Sequence, residues 1–369
     1  MIYLDYGATS FHKPPAVRRA MLQAMSRCAS PGRGGYRAAE AAAETVYGCR
    51  ETAAALFDCR PEQVVLTCNC THGLNIAIRS LFRPGSRVVV SGFEHNAVVR
   101  PLYALGAEVI VAGRRLFDPV DTLEQFGKAL SAGADGAVFT HVSNVFGYVL
   151  PVRELAALCK RHGVPFILDA AQSAGTLPID FSSLGAAFVA MPGHKGLLGL
   201  PGTGILLCGQ RGEPLLYGGT GTQSVLQEMP DELPERLEAG TLNVPGYAAL
   251  TQGLRYLKRV GTDSVFHHEQ QSLRHCVRGL VQQGFRVFAG VHQAATVSFL
   301  PGQDCEEAAE VLARQGIAVR AGLHCAPLAH ESAGTLETGT VRVSLGFDTT
   351  KAQIDAFLRA AAKLSPIRS

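Results

Sequence analysis

The sequence predicts an α/β fold, with a large domain built on a mostly parallel sheet and a smaller α+β unit after it. Three observations carry this. From about residue 64 to residue 208, short apolar runs alternate with amphipathic helical patterns. The runs are β-rich and apolar throughout, as strands are when helices cover both faces. Near residue 210 the pattern changes, and a different set of strands and helices closes the chain.

Two amphipathic helices are expected first, near 15–28 and 38–57. VVLTC (64–68) reads as a strand and THGLNIAIRSLF (71–82) as a helix. RVVVSG (87–92), EVIVAG (108–113) and GAVFTHVSN (136–144) read as strands, with helices over NAVVRPLYAL, DTLEQFGKAL and VRELAALCKRHG after them. VPFILD (164–169), AAFVAM (186–191) and GTGILLC (202–208) complete the strand set. This alternation implies right-handed βαβ units. The Gly-rich YGGTGTQ (217–223) and the polar EMPDELPERLEAGTLN follow, then one long helix over 246–283. The final unit has strands near 285–290, 294–300, 316–322 and 340–345, with helices near 305–315 and 351–364. A domain boundary is expected near 245.

Composition excludes several classes. At 369 residues the chain is comfortable for two domains. With 47% apolar and 18% charged residues, a large core forms and wholesale disorder is not expected. The net charge of +3, without a Lys/Arg run, gives nucleic acid or an acidic membrane nothing to follow. The N-terminus lacks a basic stretch followed by an apolar one, and no run of about 18 apolar residues occurs, so a cytoplasmic chain without a membrane span is expected. The ten cysteines are scattered and read as reduced thiols. Cys68 and Cys70 form a lone C-x-C without a second ligand pair, so no metal site is expected.

Ligands of doubly wound sheets sit at the carboxyl ends of strands. Candidate residues gather there: the loop around Thr71 and His72, then Glu94-His95-Asn96, Asn144, Asp169, and Gly193-His194-Lys195. A pyridoxal-phosphate site needs a lysine for the Schiff base and a carboxylate to keep the pyridine nitrogen protonated. It also needs a helix N-terminus for the phosphate, a ring to cover the cofactor, and a cation for the substrate carboxylate. Lys195, Asp169, the helix start at Thr71-His72-Gly73, His95 and an arginine of the second domain supply these residue types.

The ordered set resembles the cysteine desulfurase and selenocysteine lyase branch of the class V aminotransferases. The motifs that carry the resemblance are YLDYGATS (3–10), EHNAVV (94–99), HVSNVFG (141–147), ILDAAQSAG (167–175), GHKG (193–196), EAGTLN (238–243), VRAGLHCAP (319–327) and VRVSLGF (341–347). VRAGLHCAP resembles the SufS-like group. The resemblance implies fold type I of the pyridoxal-phosphate-dependent transferases, with a seven-stranded sheet in a domain over 15–245 and a second domain over 1–14 and 246–369. It implies that Lys195 holds the cofactor and moves the α-proton, Asp169 pairs with the pyridinium, Gln172 meets the phenolic oxygen, and His95 stacks on the ring and takes part in proton transfer. Thr71, the His72 amide and His194 would hold the phosphate, and Thr241 would reach the neighbouring subunit's phosphate in a homodimer. Asn144 and Arg342 would bind the substrate carboxylate, with Arg320 as a further substrate-binding residue. Cys325 would take the sulfur as a persulfide, with His324 and Arg320 helping to lower its pKa, and pass it to an acceptor protein.

L-Cysteine is the substrate this reading favours. L-Selenocysteine, or a transamination or β-elimination with Cys325 idle, are the alternatives. Two departures stand out: Pro192 occupies a place where the family usually has a phosphate-contacting Ser, and His72 one where many relatives have Glu.

Overall fold

A computed structural model describes residues 1–32 and 34–364. In chain order the elements are β1 (Ile2–Tyr3), α1 (Pro15–Arg27), α2 (Arg37–Phe57), β2 (Val64–Thr67), α3 (Cys70–Leu81), β3 (Arg87–Ser91), α4 (Asn96–Leu105), β4 (Glu108–Ala112), α5 (Pro119–Ser131), β5 (Gly136–Thr140), α6 (Val152–His162), β6 (Phe166–Asp169), α7 (Phe181–Leu184), β7 (Phe188–Pro192) and β8 (Gly204–Cys208). The later elements are α8 (Val244–Val260), α9 (Thr262–Gln282), β9 (Arg286–Phe288), β10 (Thr296–Leu300), α10 (Cys305–Arg314), β11 (Ile317–Ala318), β12 (Arg320–Gly322), α11 (Pro327–Ala333), β13 (Thr340–Ser344) and α12 (Lys351–Ala361).

The large sheet has seven strands in the order β2-β8-β7-β6-β5-β3-β4, and only β8 runs against the others. Successive side chains point to opposite faces, and both faces are dry. Val89, Phe139, Leu168 and Val189 join one core, while Val88, Val90, Val138, Ile167 and Ala190 join the other. That explains why these strands are apolar without alternation. From β3 the chain steps outward to β4; from β5 it steps the other way to β6. The ends of β3 and β5 are therefore the switch point, and a crevice opens there.

The second part holds a four-stranded antiparallel sheet, β12-β13-β10-β9. The first strand, β1, pairs with β11, and Asp5 bridges to Ser344, so the N-terminal segment crosses into this region. Two sequence expectations need correction. The single helix over 246–283 is two helices, because Gly261 at φ 86° turns the chain between them. The strand over 316–322 is two short strands in different sheets. The short helices α7 and α11 carry too few turns to show a period.

Candidate active site

Asp169 ends β6 and is 3% exposed. Its Oδ1 accepts the Ala171 N–H at 2.9 Å and the Cys70 thiol at 3.5 Å. Burial pushes this carboxyl up from its ordinary value; the Ala171 amide, the Lys195 charge and the Cys70 thiol pull it back. Lys195 follows β7 on a half-buried loop, and burial pushes its ammonium down while Asp169 opposes the shift. Close backbone contact holds this loop. A Cβ on Gly175 would lie 2.3 Å from the Gly196 oxygen, and one on Gly196 would lie 2.3 Å from the Ala174 oxygen. Only glycines allow the ILDAAQSAG and GHKG segments to meet this way.

His95 caps α4, its Nδ1 accepting the Ala97 N–H at 2.9 Å. That bond leaves the neutral ring's proton on Nε2. Burial, then the charges of Lys195, Arg320, Arg342 and Arg100, lowers His95 to about 4, so it is neutral at physiological pH. His194 is lowered to about 4 by burial, Lys195 and Lys13. Its Nδ1 meets the Thr9 hydroxyl at 3.1 Å, and its carbonyl accepts the N–H and hydroxyl of Ser10. The N-terminal segment thus straps the lysine loop from outside.

The expected phosphate-holding helix start differs in detail. The N-cap of α3 is Asn69, two residues before the expected helix start, and its Oδ1 accepts the His72 N–H at 2.8 Å. The His72 amide is therefore committed to the cap. Among the described residues the N–H groups of Cys70 and Thr71 have no acceptor, so these and the exposed Thr71 hydroxyl are the available donors. Pro192 closes β7 opposite Gly204, at a strand end where a missing N–H costs little. Gln172 donates to the Gly7 carbonyl at 3.0 Å and lines the same cavity as Lys195. Thr241 is exposed ahead of α8.

Arg342, on β13, is 2% exposed. It donates to Asp5 Oδ1 at 2.5 Å and to the Asn144 carbonyl at 3.0 Å. Its Nε and the Asn144 Oδ1 are buried without partners among the described residues. The Asn144 amide donates to the His324 carbonyl at 2.8 Å. A Cβ on Gly7 would sit 3.1 Å from the guanidinium carbon, so glycine permits this approach.

The loop between β12 and α11 presents Cys325, which is exposed. His324 and Cys325 both hold left-handed backbone, at φ 52° and 57°. Three bonds brace this uncommon conformation. The Asn96 N–H donates to the Cys325 carbonyl at 2.7 Å, Asn144 holds the His324 carbonyl, and His324 Nε2 meets the Arg320 carbonyl at 3.2 Å. The Cys325 backbone is thereby tied to the residue after His95. One expectation fails here: burial, first of several causes, pushes His324 down to about 3. A neutral ring gives the thiol no positive charge, which leaves the exposed Arg320 as the nearby cation.

The structure thus brings Lys195, Asp169, His95, Asn144, Arg320, Arg342 and the Cys325 loop to one crevice. From sequence, Asn69 and Cys70 belong to the loop at this strand end but carry no role of their own, and Asp5 carries none. Asp5 lies within the YLDYGATS motif, and Asn69 lies two residues ahead of the expected helix over 71–82, close to where a cap is expected.

A parallel sheet with a lysine and a buried aspartate at adjacent strand ends defines a fold type I cofactor enzyme. The chain belongs to the class-V aminotransferase family, whose sequence model matches residues 2–357. It is 30% identical to a probable cysteine desulfurase of Methanothermobacter thermautotrophicus, over 96% of this chain and 92% of that protein. It is similar to the apo structure of a cysteine desulfurase from Thermococcus onnurineus, with a TM-score of 0.90, 30% identity and 98% and 94% of the two chains covered. A cysteine desulfurase from Escherichia coli superposes with a TM-score of 0.85 at 26% identity, over 97% and 93% of the chains.

Proposed function

We propose that this chain is a pyridoxal-phosphate-dependent cysteine desulfurase that converts L-cysteine to L-alanine and keeps the sulfur on Cys325. The observation that carries the reading is the braced Cys325 loop, tied through Asn96 and Asn144 to the crevice that holds Lys195 and Asp169. The likeness to cysteine desulfurases along almost the whole chain supports it.

The residues fit the cofactor. Asp169 is a buried carboxylate whose Oδ2 no described residue bonds, Lys195 is a lysine made less basic by burial, and the first two N–H groups of α3, without an acceptor among the described residues, are open to a phosphate. Bound at Lys195, pyridoxal phosphate supplies an electron sink for the substrate's α-carbon. Asp169 would keep the ring nitrogen protonated, Gln172 would meet the phenolic oxygen and the neutral His95 would cover the ring. Thr71 and His194 would hold the phosphate.

Arg342 anchors the substrate carboxylate, with the Asn144 amide and Arg320 beside it. The Lys195 amine moves the α-proton. The Cys325 thiolate then attacks the substrate's Sγ: a sulfur–sulfur bond forms, the Cβ–Sγ bond breaks, and its electron pair stays with carbon. One proton delivered to Cβ and one returned to Cα by Lys195 complete alanine, and the terminal sulfur of the persulfide passes to an acceptor protein.

We also infer a homodimer, in which Thr241 reaches the other subunit's phosphate. Leu22 and Met25 on α1, Tyr47 on α2 and the exposed Tyr217, Val225 and Leu226 offer apolar surface for it. Light scattering of the purified protein checks this, and a monomeric mass contradicts it. No helix among the described residues is long and apolar enough to cross a membrane.

The test of the activity is alanine release from cysteine by wild type and Cys325→Ser. The expected loss is about 100-fold or more, since a hydroxyl is a poor substitute for a thiolate at neutral pH. An unchanged rate contradicts the persulfide route. Running selenocysteine alongside shows which amino acid has the higher kcat/KM.

A further inference from the structure

Cys70 is the first residue of α3, almost fully buried, and its thiol lies 3.5 Å from Asp169 Oδ1. The second donor to Asp169, the Ala171 N–H, lands on the same oxygen at 2.9 Å. No described residue bonds Oδ2. Burial keeps the Cys70 thiol protonated, with the Asp169 charge adding to the effect, so sulfur donates and carboxylate accepts.

We propose that Cys70 is a positioning residue for Asp169. With Ala171 it fixes the carboxylate's rotation, so that Oδ1 is spent on the protein and Oδ2 faces the cofactor's ring nitrogen. The inference rests on the reading that Asp169 receives that nitrogen. Two donors on one oxygen do what neither does alone: a carboxylate held by one bond still swings about its Cβ–Cγ axis. The thiol also favours the ionised carboxylate, which burial opposes. That keeps the proton on the ring nitrogen rather than on Asp169. The C-x-C spacing flagged in the sequence is thereby divided: Cys70 faces the site, while Cys68 is exposed on the strand-to-helix turn.

The test compares wild type with Cys70→Ala, Cys70→Val and Cys70→Ser, each reconstituted with pyridoxal phosphate. Two readouts are taken: the pH midpoint of the bound cofactor's visible absorption, and the rate at which cofactor is lost on dilution. Valine fills the volume without a donor, and serine restores one. The expected result is a pair of groups. Ala and Val shift the midpoint upward by roughly half a unit and release cofactor about fivefold faster, as the loss of one net hydrogen bond implies. Ser stays with wild type. An Ala or Val variant that matches wild type in both readouts overturns the proposal. So does a Ser variant displaced as far as Ala. If wild type itself gains no visible band with cofactor, the cofactor reading fails instead, and the two failures are told apart.

Discussion

Glu269, on α9, is 7% exposed, its carboxyl makes no hydrogen bond among the described residues, and it lines the cavity that ends on Lys195. Burial raises its carboxyl to about 8. The sign of the consequence follows from linkage. Between the ordinary glutamate value and about 8 the folded state keeps a proton that the unfolded chain has released, so stability falls as pH rises through that window. Glu269→Gln removes this loss. The variant should match wild type near pH 4 and exceed it by about 1–3 kcal/mol at pH 8, read from urea midpoints at the two pH values. Equal midpoints at pH 8 contradict the assignment. At this scale the sequence was informative wherever chemistry sat at a strand end. Asp169, His95, Asn144 and Lys195 were legible because the alternation of strands and helices places such residues at one sheet edge. Cys70 and Asn69 were not, since their roles depend on which oxygen a side chain meets across the site. The ionisation of His324 was misread for a related reason: proximity in sequence says nothing about burial.

The elements are joined by buried ion pairs that no local pattern reveals. Arg50 of α2 donates to Glu238 Oε1 at 2.7 Å and to the Val64 carbonyl of β2 at 2.6 Å. Glu238 also accepts the Leu66 N–H, so one carboxylate fastens α2, β2 and the EAGTLN segment. Both side chains are more than nine-tenths buried. Removing one partner strands the other charge in a dry environment. Glu238→Ala should therefore cost about 3–5 kcal/mol, while Arg50→Met with Glu238→Leu should recover much of the loss. Denaturation midpoints of the two variants decide it; a single variant as stable as the double one contradicts the pairing. Helix and strand existence was legible from period and composition, and the bounds of the large-sheet strands fell within a few residues. The breaks at Gly261 and Val319 were not. A glycine inside an amphipathic pattern reads equally as a tolerated residue or a turn. Likewise, the seven residues of GIAVRAG read as one strand until their partners in two sheets are known.

At the scale of the whole molecule, the chain returns to its own start. The segment that begins at β1 runs beside β11, offers Asp5 to Arg342, and straps the lysine loop through Thr9 and Ser10. Substrate anchor and cofactor lysine are thus positioned by one strand of chain drawn across both. Shortening this strap should loosen both functions together. A Ser10→Ala, Thr9→Ala protein should bind pyridoxal phosphate about tenfold more weakly and raise KM for cysteine, two losses of net hydrogen bonding at one loop. Unchanged cofactor affinity, measured by absorbance titration, would contradict the strap's role.

The central claim is that Lys195 and Cys325 serve one reaction. The direct measurement is peptide mapping by mass spectrometry after a single exposure to L-cysteine without reductant. The expected result is one added sulfur atom on the Cys325 peptide of the wild-type protein and none on that of Lys195→Ala. Alanine released with the extra sulfur on a different cysteine, or on none, would contradict it.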